Sequence, residues 1–179
     1  MTRSLFALAL LATRAVAQED TWNRIYAVTS RARCTNCHVG SDGVPMWSDL
    51  IYGVEASHGV NVQAGEGRIG AETIPCLTCH MTIARPVSLA RAAPRIDDAW
   101  RLPPVELQWL GKSSGEVCAQ LRGGDETVAE LIERVRESPF VAGGFVPGGH
   151  RPAPDGTPET LARDILQWGK AGKLCPGDQ

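Results

Sequence analysis

The segment CTNCH, from Cys34 to His38, occurs a second time as CLTCH, from Cys76 to His80. In each copy two thiols stand three positions apart, and a histidine directly follows the second thiol. This is the attachment signature of c-type haem: both cysteines form thioether bonds to the porphyrin, and the histidine coordinates the iron from one face. The two copies, called here the first and the second motif, predict two covalently bound haems.

The residues expected to bind haem are the four motif cysteines and the two motif histidines, Cys34, Cys37, His38, Cys76, Cys79 and His80. Zinc is an alternative, because two C-x-x-C pairs can supply four thiolates to one ion. The histidine after each pair and the export signal described next favour haem, which is attached outside the cytoplasm. A thioredoxin-like redox pair is disfavoured, because no strand-helix-strand pattern surrounds either pair.

The first 17 residues have the layout of a secretory signal peptide. A basic start at Arg3 is followed by an apolar run over Leu5–Ala12 and by small residues at Ala15 and Ala17. A membrane anchor is the alternative, but this run is far shorter than the roughly 20 residues that span a bilayer. We expect cleavage after Ala17, export from the cytoplasm and no membrane span, since no later segment is apolar enough.

The six cysteines leave one pair outside the motifs, Cys118 and Cys175. In an exported protein such a pair predicts a disulfide, because oxidising compartments favour the bond. Two buried free thiols are the alternative.

Charge and composition indicate which partners and what kind of core to expect. Without residues 1–17 the chain has 16 Lys and Arg against 20 Asp and Glu, a net charge of −4. Nucleic-acid binding is disfavoured, since it relies on clustered basic side chains. With 19 Gly, 12 Pro and only 6% aromatic residues, the chain should have many turns and a small side-chain core.

Helical periodicity is present on both sides of the motifs. Trp22, Ile25, Tyr26 and Thr29 predict a short helix within 20–32. Between 39 and 75 we expect mainly loop with short turns, and a further irregular stretch covers 85–104.

Three helices are predicted in the last third of the chain. Ser113 and Ser114 can cap a helix over 115–122, and Asp125 can cap another over 126–138. Thr157, followed by a proline, opens the third over 159–172. Apolar stripes on the second and third of these helices consist of Val128, Leu131, Ile132 and Val135, and of Leu161, Ile165 and Trp168.

These elements predict a mainly α fold with extensive loops, a compact dihaem cytochrome c with a C-terminal helical cap. We expect a signal peptide over 1–17 and a single domain over 18–179. Within that domain, 18–104 would be the haem-binding half and 105–179 the helical, disulfide-stapled half.

The sixth ligands of the two irons are less determined than the fifth. His58 lies 20 residues after His38 and 18 before Cys76, so the chain can pass around a porphyrin edge on either side. We expect His58 to be a distal ligand, since imidazole is the commonest metal ligand. A surface or hydrogen-bonded histidine in a Gly-rich loop is the alternative.

The second iron must draw on Met46, on His150 or on nothing in this chain. Met46 follows His38 by eight residues, which span at most about 27 Å. His150 lies among Gly and Pro, where an exposed loop histidine is the alternative. Met81 directly follows His80 and cannot reach the opposite face of the same haem.

Four further stretches, HGVNVQAGEGRIG, WLGKSSGEVCAQL, ELIERV and the ending WGKAGKLCP, resemble a group of small periplasmic dihaem cytochromes c of proteobacteria. Some members of that group are described as cytochrome partners of molybdenum hydroxylases such as isoquinoline oxidoreductase. The resemblance covers about His58 to Pro176. It implies electron transfer in the periplasm, with the haem, His58 and disulfide residues named above carried over and no histidine at the place of His150.

The function expected from these observations is electron transfer between redox proteins, with no catalysis, since the sequence contains no recognisable catalytic constellation. The partner would be a redox protein, such as a periplasmic or membrane-bound oxidoreductase. One alternative is a small haem enzyme, peroxidase-like or reductase-like, with one open iron. Another is a haem-bearing subunit of a larger oxidoreductase.

Overall fold

The computed structural model describes residues 19–49, 54–59, 62–68, 78, 80, 101–146 and 155–178. Several predictions lie outside these residues: the signal peptide over 1–17, the second-motif cysteines Cys76 and Cys79, and His150.

The described part of the chain is mainly helical, as predicted. Its helices are α1 (19–29), α2 (Ala32–Thr35), α3 (Ser114–Gly123), α4 (Val128–Glu137), α5 (Pro139–Phe145) and α6 (Pro158–Lys170). A 3-10 turn covers Val105–Leu107, and two short antiparallel strands are β1 (Met46–Asp49) and β2 (Val54–Ser57). No helix among the described residues is long and apolar enough to cross a bilayer.

Capping boxes begin helices α3, α4 and α6. At α3 the Ser113 hydroxyl accepts from the Glu116 N–H, and the Glu116 carboxylate accepts from the Ser113 N–H. The same reciprocal pair begins α4, where Thr127 is the cap and Glu130 its partner. The prediction that Asp125 caps this helix is therefore wrong: the T-x-x-E spacing places two reciprocal hydrogen bonds at Thr127. At α6, Thr157 is the cap and Pro158 the first helical residue, as predicted.

The main core joins α1 to the C-terminal helices. Trp22 and Ile25 of α1 are buried with Val117 of α3, and the Trp22 ring lies 5.5 Å from that of Trp168 in α6. The predicted stripes face this core, with Leu131, Val135, Leu161, Ile165 and Trp168 all buried. The disulfide between Cys118 and Cys175 lies in the same core and ties α3 to the chain after α6.

A second, smaller cluster lies next to the first motif. Its buried residues are Val39, Ala64 and Leu102, and Cys37, Met46 and Leu110 pack against them. Three separate chain segments thus meet beside the motif.

The β1–β2 pair and helix α5 are among the elements that the sequence did not predict. The β1–β2 pair lies within 39–75, where the sequence predicts mainly loop, because four-residue strands are too short to show an alternating pattern. Helix α5 contains two glycines, which disfavour helix, but Pro139 begins it at a favourable position.

Candidate functional site

The first motif is a continuation of helix α2. The N–H groups of Cys37 and His38 both donate to the carbonyl of Cys34, at 3.1 and 3.0 Å. Residues three and four positions apart in such a turn share one face. Both thiols and the imidazole are therefore presented to the same side, which is what attachment of one planar cofactor requires.

His38 is held in one tautomer. Its Nδ1 lies 2.7 Å from the carbonyl oxygen of Leu107. Because a carbonyl can only accept, Nδ1 carries the proton and Nε2 carries the lone pair. Burial lowers the pKa of His38 to about 4, the hydrogen bond to Leu107 opposes this, and the charge of Arg68 adds to the lowering. The imidazole is neutral near pH 7, with Nε2 in the form that coordinates a metal.

The 107–110 segment contacts His38 in three ways. Besides the Leu107 carbonyl, the N–H groups of Trp109 and Leu110 donate to the His38 carbonyl, at 2.9 and 3.1 Å. The Trp109 ring stacks on the imidazole with 3.4 Å between ring centres and 4° between planes. Both the backbone and the ring plane of His38 are fixed by residues some seventy positions later in the chain.

Arg68 ties the chain after the first motif to the segment at 101–104. Its guanidinium donates to the carbonyls of Val39, Gly40 and Pro103, at 3.1, 3.0 and 2.7 Å. The residue has a φ of 58°, a conformation that non-glycine residues seldom adopt, and these three hydrogen bonds hold it there. Arg68 was not identified from the sequence, because no local pattern predicts contacts between residues 28 to 35 positions apart.

Cys34 is in an environment that favours a neutral thiol. Burial, with the neighbouring Cys37 as a smaller cause, raises the pKa of Cys34 to about 12. No group of three or more His, Cys, Asp or Glu side chains among the described residues could hold a metal ion.

The two strands bring two of the three candidate distal ligands, Met46 and His58, close to the motifs. Met46 begins β1, and its N–H donates to the carbonyl of Asn36 inside the first motif, at 2.8 Å. Met46 pairs with Ser57, and the ladder continues one residue further, where the His58 N–H donates to the Pro45 carbonyl at 2.8 Å. Neighbouring positions of a ladder point to opposite faces. Accordingly, Met46 packs in the cluster that contains Cys37, whereas the ring of His58 is close to that of His80.

The rings of His58 and His80 lie 6.0 Å apart between centres, with 35° between planes. Two imidazoles on opposite sides of one metal, each nitrogen about 2 Å from it and each ring centre about 1 Å further, have centres about 6 Å apart. The Nδ1 of His58 lies 2.9 Å from the Gly59 carbonyl, so Nε2 again carries the lone pair. This separation fits a metal held between the two rings.

The sequence-predicted residues thus fall into two groups, with Met46 beside the first motif and His58 beside His80 of the second. Trp109 contacts the first motif and Arg68 binds the residues directly after it, and both were missed by sequence reasoning. Comparison with protein-family models, curated proteins and solved structures finds no match for this chain.

Proposed function

We propose that the chain is an exported dihaem c-type cytochrome of the periplasm, which carries electrons between redox proteins and has no substrate chemistry of its own. The observation that carries the proposal is the His58–His80 ring pair, whose 6.0 Å separation matches two imidazoles on one iron. The paired C-x-x-C-H motifs and the mature net charge support it independently.

In this proposal Cys34 and Cys37 hold the first haem, and Cys76 and Cys79 hold the second. A bound haem supplies one-electron oxidation and reduction at its iron. His38 coordinates the first iron through Nε2, because Leu107 fixes the proton on Nδ1. Hydrogen bonding of the remote ring nitrogen to a carbonyl is the usual support of a metal-bound histidine.

His80 and His58 would coordinate the second iron from opposite faces. Bis-histidine coordination saturates an iron and suits electron transfer rather than substrate binding. Met46 would complete the first iron, since it packs against the same apolar cluster as Cys37 and its N–H donates to the Asn36 carbonyl within the first motif. With both irons saturated, neither offers a position to a substrate, which favours a carrier over an enzyme.

The test is spectroscopy of the mature protein produced with a cytochrome c maturation system. Mass analysis should find two covalently attached haems, and electron paramagnetic resonance of the ferric protein should show two low-spin irons. A large high-spin signal that binds cyanide or nitrite, together with turnover of peroxide or nitrite, would refute the carrier function and favour the haem-enzyme alternative.

A further inference from the structure

The indole N–H of Trp109 is a buried donor with no acceptor among the described residues. Buried polar groups in folded proteins nearly always have a partner, and an orphan indicates a group that the protein atoms alone do not supply. The neighbouring tryptophans of the core differ: Trp22 donates to the Ser114 hydroxyl and Trp168 to the Leu174 carbonyl. The lack of an acceptor at Trp109 is therefore specific to its position.

That position is next to the imidazole of His38. The two rings are nearly parallel, with centres 3.4 Å apart. A metal coordinated by Nε2 lies in the plane of the imidazole ring, so an indole stacked on that ring stands over the same face of the haem. The haem nitrogens are occupied by iron. The acceptors that remain on a haem are its two propionate carboxylates.

A propionate at this place needs compensation for its charge, since an unpaired buried carboxylate is costly. Arg68 supplies positive charge close to His38, but three of its nitrogens already donate to the carbonyls of Val39, Gly40 and Pro103. Among the buried side-chain nitrogens of the described residues, the Trp109 indole nitrogen has no acceptor for its N–H.

We propose that the indole N–H of Trp109 donates a hydrogen bond to a propionate carboxylate of the first haem. This inference rests on the proposed function, because it requires a haem at Cys34, Cys37 and His38. It makes Trp109 a cofactor-binding residue as well as a ring that orients the axial ligand.

The experiment compares W109F with the wild type and with the control W47F. Phenylalanine retains an aromatic ring against His38 but removes the donor, while Trp47, which is 41% exposed on β1, controls for the loss of an indole at another position. The readout is the midpoint potential of each haem as a function of pH. In W109F the pKa of the propionate should rise by about one unit or more, the value of a lost hydrogen bond to a charged group. The potential of the first haem should fall near pH 7, because the carboxylate charge is less compensated and favours the oxidised iron.

A W109F protein with two attached haems and an unchanged titration would overturn the inference and leave the proposed function intact. Absence of haem from the wild type would overturn both. Should W109F fail to fold, NMR of the wild type tests the hydrogen bond instead. The resonance observed is that of the Trp109 indole N–H in the reduced, diamagnetic protein. This resonance should shift with the propionate titration, and a resonance that does not move over the titration would refute the hydrogen bond.

Discussion

The imidazole rings of His58 and His80 lie with their centres 6.0 Å apart and their planes inclined by 35°. The sequence leaves open which iron His58 serves, because His58 lies almost midway between the two motifs. In the structure His58 follows strand β2 and lies beside the histidine of the second motif. The two proposed haems therefore differ in their sixth ligand. His58 is the candidate for the second iron and Met46 for the first.

Replacing His58 by alanine should open one iron of the two. In H58A one low-spin signal of the ferric protein should be replaced by a high-spin signal that binds cyanide, and added imidazole should restore it. H150A, which removes the other histidine outside the motifs, should keep both low-spin signals. Two low-spin haems in H58A would show that His58 is not a ligand.

Replacing Met46 by leucine should lower the midpoint potential of the first haem, because a methionine in the sixth position raises it. Redox titration followed by absorbance measures the potential of each haem. M81L is the matched control, since Met81 directly follows His80 and cannot reach the far face of that haem. Equal potentials in M46L and the wild type would exclude Met46 as a ligand.

Removing the disulfide with C118A/C175A should lower the free energy of unfolding by about 4 kcal/mol, the chain-entropy value for a loop of this length. The two cysteines are separated by 57 positions. Guanidinium unfolding monitored by tryptophan fluorescence gives the difference. Wild-type protein treated with a reductant should match the variant, because thioether bonds to haem are not reduced. Identical unfolding midpoints would contradict the prediction.

Helices α4 and α6 approach each other closely at Gly169. A Cβ added there would lie 2.7 Å from both methyl carbons of Val128, so G169A should destabilise the protein by about 1–3 kcal/mol through overpacking. G143A in α5 is the control: a Cβ there meets nothing within 4 Å, and alanine favours helix, so stability should hold or rise slightly. Thermal unfolding of the two variants should differ in this direction; equal melting temperatures would contradict the close approach.

The capping box of α3 should make stability depend on acid pH. Hydrogen bonds from the Ser113 backbone and hydroxyl, with Lys112 as a lesser cause, lower the pKa of Glu116 from 4.5 to about 2. Because the pKa of Glu116 is lower in the folded than in the unfolded protein, its ionised carboxylate stabilises the fold. This stabilisation is fully present above pH 4.5 and is lost as the pH falls toward 2. E116Q should therefore lose less stability than the wild type in this window, as measured by melting temperature against pH. E133Q on the exposed side of α4 should behave like the wild type.

The helices were predictable because their signals are local. Trp22 and Ile25, or Leu161 and Ile165, repeat at helical spacing over enough residues to show a buried face, and Thr157 before a proline marks a start. The wrong cap, Asp125, lies only two residues from the actual cap, Thr127. Both residue types can cap a helix, and only the reciprocal hydrogen bonds between Thr127 and Glu130 decide between them.

The surroundings of His38 could not be predicted from the sequence. The motif itself identifies the ligand, but the hydrogen bond from its ring to Leu107 and the stack with Trp109 join segments 69 and 71 positions apart. Arg68 likewise acts through backbone carbonyls, which leave no trace in side-chain patterns. Contacts of this kind depend on how the chain is folded rather than on any local periodicity.

The 107–110 segment has a further consequence for the proposed electron transfer. It restrains His38 at the ring nitrogen, the ring face and the backbone oxygen, so the imidazole of this proposed axial ligand can move little. Electron transfer is fastest when the atoms around a metal move least between its two oxidation states, and a preorganised polar environment keeps that movement small. Through the 3-10 turn that leads into this segment and α3 that follows it, the helical half would set the reorganisation energy of the first iron and hence the proposed rate of each electron transfer.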